Sequence, residues 1–190
     1  MAILGLKDLV YAVITEENKE ETIYGEAKPL GPARAFNLVP SINRAGLNAD
    51  DAPLFSDVSK GPSAITLDTA YIDNTVEADV LGKKLDKNGG VVDSAEDEAP
   101  YIAVGGRSLN ARGGYDYFWV YRIKFAPSDE NRATKEETPE YQTPTLTGEA
   151  IPRLHDGLER YKVWENNPDI TDKTVFDTWF KKVTEPLETP

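Results

Sequence analysis

The sequence holds one histidine, His155 in "PRLHDGLER", and no cysteine. A Ser-His-Asp nucleophile would have to be built around that imidazole. Disulfides, thiolate metal sites and cysteine nucleophiles are excluded together. Asp156-Gly157, directly after the histidine, is a turn signal and predicts an exposed His155 beside a turn. One imidazole without thiolates does not make a zinc site of the usual Cys/His kind. Carboxylates number 33, so a facing pair of the glycosidase type can be drawn anywhere and tells nothing. "DKNGGVVDSAED" (86–97) partly resembles a calcium loop, but its oxygen ligands fall at the wrong spacing. "GGRSLNARGG" (105–114) is glycine-rich but joins two strand patterns, whereas a phosphate-cradling loop joins a strand to a helix. The aromatic run Tyr115 to Phe125 has the residue types of a sugar or base platform, but core packing accounts for it first. The residues point to no catalytic centre, no metal and no cofactor.

The elements that would position any site are mostly strands. Leu6 to Thr15 is apolar on both alternating faces, the mark of a strand covered on both sides. Ala33 to Asn43 has period-2 character broken by Pro40. Ser63 to Ala70 alternates cleanly. Tyr101 to Leu109 and Tyr115 to Ala126 form a hairpin, with Tyr117, Trp119, Tyr121, Ile123 and Phe125 expected on one face of the second strand and Phe118 and Val120 on the other. Arg160 to Asn166 is a further short strand. "PEYQTPTLTGEAIPR" (139–153) alternates like a strand, and its Pro144 and Pro152 predict an edge strand whose pairing they limit. A mid-chain helix is expected after Asn74, with Asn74 as N-cap, Glu77 completing a capping box and Gly82 as the stop. A C-terminal helix is expected where Val175, Phe176, Trp179, Phe180 and Val183 form an apolar stripe. Residues 44–62 read as a long loop or a projecting hairpin tip, and Leu54 and Phe55 in it have no obvious core to enter. The fold class is mainly β, a sandwich or barrel of about seven or more short antiparallel strands with two flanking helices, in one domain spanning 1–190.

Acidic residues outnumber basic ones by 33 to 21, a formal charge of −12. Ordinary nucleic-acid binding rests on the opposite sign. Lys7 and Asp8 interrupt the N-terminal apolar run, and no stretch approaches the roughly 20 apolar residues of a membrane span. A soluble protein made in the cytoplasm is expected.

Seven stretches, "GLKDLVYAVIT", "LNADDAPLF", "TLDTAYIDNTVEADVLGKKLDKNGGVV", "APYIAVGGRS", "YDYFWVYRIKF", "EYQTPTLTGEAIPR" and "WFKKV", occur in this order between Gly5 and Val183. Together the set resembles the major tail proteins of long, non-contractile-tailed bacteriophages. The resemblance implies a tail-tube fold in which six copies close into a ring, inner strands join into a barrel around a channel, and rings stack into a tube that carries DNA out of the head. It implies a virion protein without turnover and without a cofactor. Its partners would be its own copies and the tape measure, tail terminator and distal tail proteins, with DNA passing through the lumen unbound and no membrane contact. Asp50, Asp51, Pro53, Leu54 and Phe55 would form an arm reaching a neighbouring copy, and Thr145 and Thr147 would lie at the subunit edge. Three other readings remain open: a monomeric carbohydrate-binding module, a hydrolase using paired carboxylates, and an inner-tube protein of a contractile tail or secretion system.

Overall fold

The computed structural model of the chain describes residues 2–49, 52–127, 134, 143–170 and 172–187, with residues 44–49 and 52–57 described by their backbone alone. In chain order these residues form β1 (Ile3–Glu17), β2 (Thr22–Tyr24), β3 (Lys28–Gly31), β4 (Ala33–Val39), β5 (Ile42–Ala49), β6 (Ala52–Lys60), β7 (Ser63–Thr69), α1 (Asn74–Leu81), β8 (Lys84–Leu85), β9 (Val91–Val92), β10 (Ile102–Asn110), β11 (Tyr115–Ala126), β12 (Thr145–Ala150), β13 (Arg160–Trp164) and α2 (Val175–Thr178).

Nine strands make one antiparallel sheet along the path β2-β1-β10-β11-β12-β7-β4, with β3 also on β1 and β13 also on β11. β1 and β11 are long because each serves two neighbours on one edge. β1 pairs Leu9–Tyr11 with β3 and Ile14–Glu17 with β2. β11 pairs Asp116–Val120 with β13 and Ile123–Ala126 with β12. The sheet curls until β4, at its far end, lies against β1. The result is a mainly β sandwich with two flanking helices.

Two apolar cores lie on the two faces of β1, β10 and β11. The inner one joins Leu9 and Tyr11 to Ile65 and Leu67 of β7, Leu146 of β12 and Val120 of β11, and Val76, Val80 and Leu81 of α1 fill it. β7 shows why it belongs there: Ser63, Ile65, Leu67 and Thr69 are buried while the residues between them are not, the alternation of a strand with one face in the core. The outer core joins Val10, Ala12, Ala103, Tyr117, Trp119 and Tyr121 to Trp179 and Val183, so the segment around α2 covers the face that the curled sheet leaves outside. Gly105 permits this layer, because a Cβ there would lie 2.6 Å from the Trp119 indole.

Four expectations need correction. The five-residue aromatic face of β11 is split, with Tyr117, Trp119 and Tyr121 facing the outer core and Ile123 and Phe125 the inner one. The register gives the reason: Val104 faces Val120 but Ile102 faces Ile123, so β11 carries an extra residue between them. A bulge of this kind moves every later side chain to the other face. Second, β12 is no edge strand, since it pairs with β11 on one side and β7 on the other. Its prolines stand outside the ladder. The Pro144 carbonyl accepts from the Thr69 N–H (3.3 Å) and the Pro152 carbonyl from Arg122 Nη1 (3.3 Å), so both act as acceptors only. Third, Asp73 rather than Asn74 is the N-cap of α1, without a side-chain cap bond, and the Asn74 amide donates to the Gly89 carbonyl at 2.8 Å instead. Gly82 ends the helix as expected, in the left-handed conformation at φ +70°. Fourth, α2 is one turn, followed by turns through "WFKK" (179–182), although its stripe residues Trp179 and Val183 are buried against the sheet as expected.

Candidate assembly surface

Among the described residues, β5 and β6 pair only with each other, as a two-stranded sheet separate from the nine-stranded one. The ladder runs from Ile42↔Lys60 at the root to Ala49↔Ala52, with Leu47 opposite Phe55 and a register shift beside the Asn48↔Pro53 pair. Residues 44–62, expected as a loop or projecting hairpin, are therefore in large part a β-ribbon. Of the candidate contact residues, Pro53, Leu54 and Phe55 lie on β6, and Asp50 and Asp51 lie outside the described residues.

The root of this arm is fixed by charge. Glu159, only 7% exposed, forms an ion pair with Lys60 at the end of β6 and accepts a 2.6 Å hydrogen bond from the Ser63 hydroxyl at the start of β7. Its backbone carbonyl accepts from the Tyr121 N–H (3.0 Å), at the bulge of β11. Burying a carboxylate is costly without such partners. Here they join the arm, β7 and β13 at one point. Val39 and Ile42, beside the root, are exposed apolar side chains.

A second feature lies at the start of β1. Ile3, Gly5, Leu6 and Lys7 pair with Asn110, Leu109, Ser108 and Arg107 of β10. The opposite edge of β1 receives β3 only from Leu9 onward and β2 only from Ile14 onward. Among the described residues, the edge from Ile3 to Lys7 has no ladder partner on that side. Ile3 is 51% exposed and Leu4 70%, and a Cβ on Gly5 would meet nothing within 4 Å.

The third feature is the outer face of β7 and β12. Thr147 and Glu149 are exposed there, and the Thr145 hydroxyl donates to Asp68 Oδ1 at 2.6 Å. Thr145 and Thr147 thus sit on a small-residue polar face of an interior strand and not on a backbone edge.

The residues with chemical potential are otherwise occupied. His155 is half-buried rather than exposed: its Nδ1 lies 3.0 Å from the Thr22 hydroxyl and its Nε2 3.3 Å from Asp156. This places a hydroxyl, an imidazole and a carboxylate in sequence, as a nucleophile would need. Asp156, however, spends both oxygens on the Arg153 guanidinium and accepts the Leu158 N–H (3.0 Å) as well. The three groups act as a pin between β2 and the turn at 154–157, whose Gly157 has φ +70°. Arg153, 2% exposed, is the centre of this pin. It also pairs with Glu185 at 2.6 Å and lies over the Tyr121 ring at 4.0 Å, tying the segment after α2 to the sheet. A groove of about 550 Å³ is lined by residues that include Glu98, Tyr101, Lys124, Gly148 and Glu149. The Lys124 ammonium, 2.9 Å from Glu98, holds that carboxyl below its usual range, the reverse of what a proton-donating acid requires. The Tyr117–Trp119–Tyr121 run is buried, so it offers no platform to a sugar.

The pin makes stability depend on pH at both ends. Burial alone would raise the Asp156 pKa, but the hydrogen bonds and charge of Arg153, with the Leu158 N–H, outweigh it and the net is lowered. A lowered carboxyl stabilises the fold above about 3.9, the free value, and the contribution is lost as pH falls through the folded value. Tyr24 is pushed up to about 12 by burial, against the opposing pull of Arg153. Its contribution is complete below about pH 10 and lost as pH rises through the folded value. Thermal midpoints should be flat between these limits and fall outside them. Asp156→Asn should shallow the acid fall and Tyr24→Phe the alkaline one; wild-type slopes retained in both variants would show that other groups carry the titration.

Arg153, Glu159 and the open edge of β1 escaped the sequence reading. Arg153 and Asp156 do stand three apart across a turn, which is a usable signal. The partners Glu185, Lys60 and Ser63 are remote in sequence and leave none.

No family model matches the chain, and no curated protein matches it.

Proposed function

We propose that the chain is a structural subunit that builds a hollow phage-tail tube from copies of itself, as hexameric rings stacked along a channel through which DNA leaves the head. The observation that carries this reading is the β5–β6 ribbon, a two-stranded sheet that, among the described residues, pairs with no other strand of its own chain. A lone two-stranded ribbon is marginal in water, and its open backbone edges are a template for another strand. Pairing with a further copy satisfies those edges, and closure around an axis removes them altogether. The ordered segments that resemble major tail proteins supply the class of assembly. The polar outer face of β7 and β12, with Thr66, Asp68, Thr147 and Glu149, suits a channel wall, because carboxylates and short hydroxyl side chains give passing phosphates nothing to grip. The subunit works without turnover or cofactor, and its further partners are the tape measure, tail terminator and distal tail proteins.

Negative-stain microscopy of concentrated protein tests the proposal. Rings or tubes with a central hole are expected. A particle that stays monomeric at every concentration, with and without a tail-initiation complex, overturns it. The readings as a carbohydrate-binding module and as a hydrolase have no favouring observation in the buried aromatics or in the Glu98–Lys124 groove.

A further inference from the structure

Among the open strand edges of the described residues, two stand out. One is the outward edge of β6 in the arm, and the other is the edge of β1 from Ile3 to Lys7. Neither can complete the other within the sheet as it is connected, because the described sheet pairs β1 only with β2, β3 and β10 and leaves the arm separate. We propose that β6 of one copy adds to the Ile3–Lys7 edge of β1 in a second copy, in antiparallel sense. The inference rests on the self-assembly reading and names the surface that receives the arm.

Three observations converge on this occupant. Every strand pair among the described residues is antiparallel, and antiparallel addition is the more stable ladder. The receiving edge is apolar and exposed at Ile3 and Leu4, a combination that a monomer would normally blunt. Gly5 at its centre leaves open space where a side chain would stand, which lets a second backbone approach. β6 runs from the arm's tip to its root, so antiparallel addition brings Ala52 beside Lys7 and Ser56 beside Ile3. In the antiparallel register Leu4 falls opposite Phe55.

The absence of native cysteine makes a direct test available. Full-length Leu4→Cys and full-length Phe55→Cys are prepared separately, mixed under reducing conditions, allowed to assemble and then oxidised. A mixed disulfide can form only between different chains. Mixing Phe55→Cys with Tyr71→Cys, an exposed position beyond the far end of β7, gives the control. The Leu4–Phe55 cross-link should form at least tenfold faster than the control cross-link. Equal rates in assembled material overturn the docking surface. Microscopy of the same samples separates the two proposals. Fast Leu4–Phe55 cross-linking in closed dimers without tubes supports the docking and overturns the tube, whereas tubes with equal cross-linking rates overturn the docking alone.

Discussion

Replacing residues 44–58 with Asn-Gly should abolish assembly and leave the body of the protein folded. Asn43 and Ser59 face each other in the β5–β6 ladder, so a two-residue turn can close the shortened hairpin between them. The replacement keeps Lys60, Ser63 and the buried Glu159 that join the arm's root to β7 and β13. None of the residues described in either apolar core is removed. The thermal midpoint should therefore move by no more than a few degrees, since surface changes away from the core stay within about 0.5 kcal/mol. Assembly should respond far more strongly, because the deleted strand is the donor of the inter-copy ladder. A rise of at least a hundredfold in the concentration needed for rings or tubes is expected, which corresponds to about 2.7 kcal/mol. Sedimentation velocity reads this and melting curves read the fold. Tubes forming at the wild-type concentration would remove the arm from the assembly mechanism. A body that no longer melts cooperatively would show the ribbon to be part of the fold.

The parts of the fold that were legible in the sequence are those whose environment repeats along the chain. β7 has one face in the inner core, so its alternation marks it directly. The β10–β11 hairpin announces itself through two apolar runs around Asn110–Gly114. Errors arose where tertiary structure interrupts a period. The bulge in β11 cannot be seen in "YDYFWVYRIKF", because apolar residues stand on both faces before and after it. The flanking prolines of β12 were legible, but their meaning was not. They close the ends of an interior strand by accepting hydrogen bonds, which sequence alone does not distinguish from protecting an edge. β2, β3, β8 and β9 are two to four residues long, too short to show a period. The arm was legible as an insertion without a core of its own. Its acceptor was not, because an open edge is defined by which strands fail to pair along it.

The stripe near the C-terminus leads to the second large effect: Trp179→Ala should cost about 3–5 kcal/mol, the usual range for deleting a buried tryptophan. α2 is one turn long, and a helix of that length has no stability of its own. What holds the segment is side-chain burial. Trp179 is 0% exposed, with its ring 5.8 Å from Tyr161 and 5.3 Å from Tyr117, and it belongs to the outer core with Val10, Ala103 and Trp119. Removing the indole opens the part of the β1, β10 and β11 face that it fills, since Phe176 and Phe180 beside it are only partly buried. For a chain of this length each kcal/mol lowers the midpoint by about 2–4 °C, so a fall of about 6–20 °C is expected. Trp179→Phe should recover a good part of it by keeping an aromatic ring against Tyr161. Trp164→Ala is the comparison. That ring donates to the Gly113 carbonyl at 3.1 Å and stacks near Arg112 at 4.9 Å, both partly in solvent, so its loss should cost about 1 kcal/mol or less. Equal losses for Trp179→Ala and Trp164→Ala would mean that the segment after β13 is a detachable tail and that the sandwich stands without its outer core. A loss confined to Trp179→Ala, with the arm deletion leaving the midpoint unchanged, would place stability in the two cores and assembly in the ribbon.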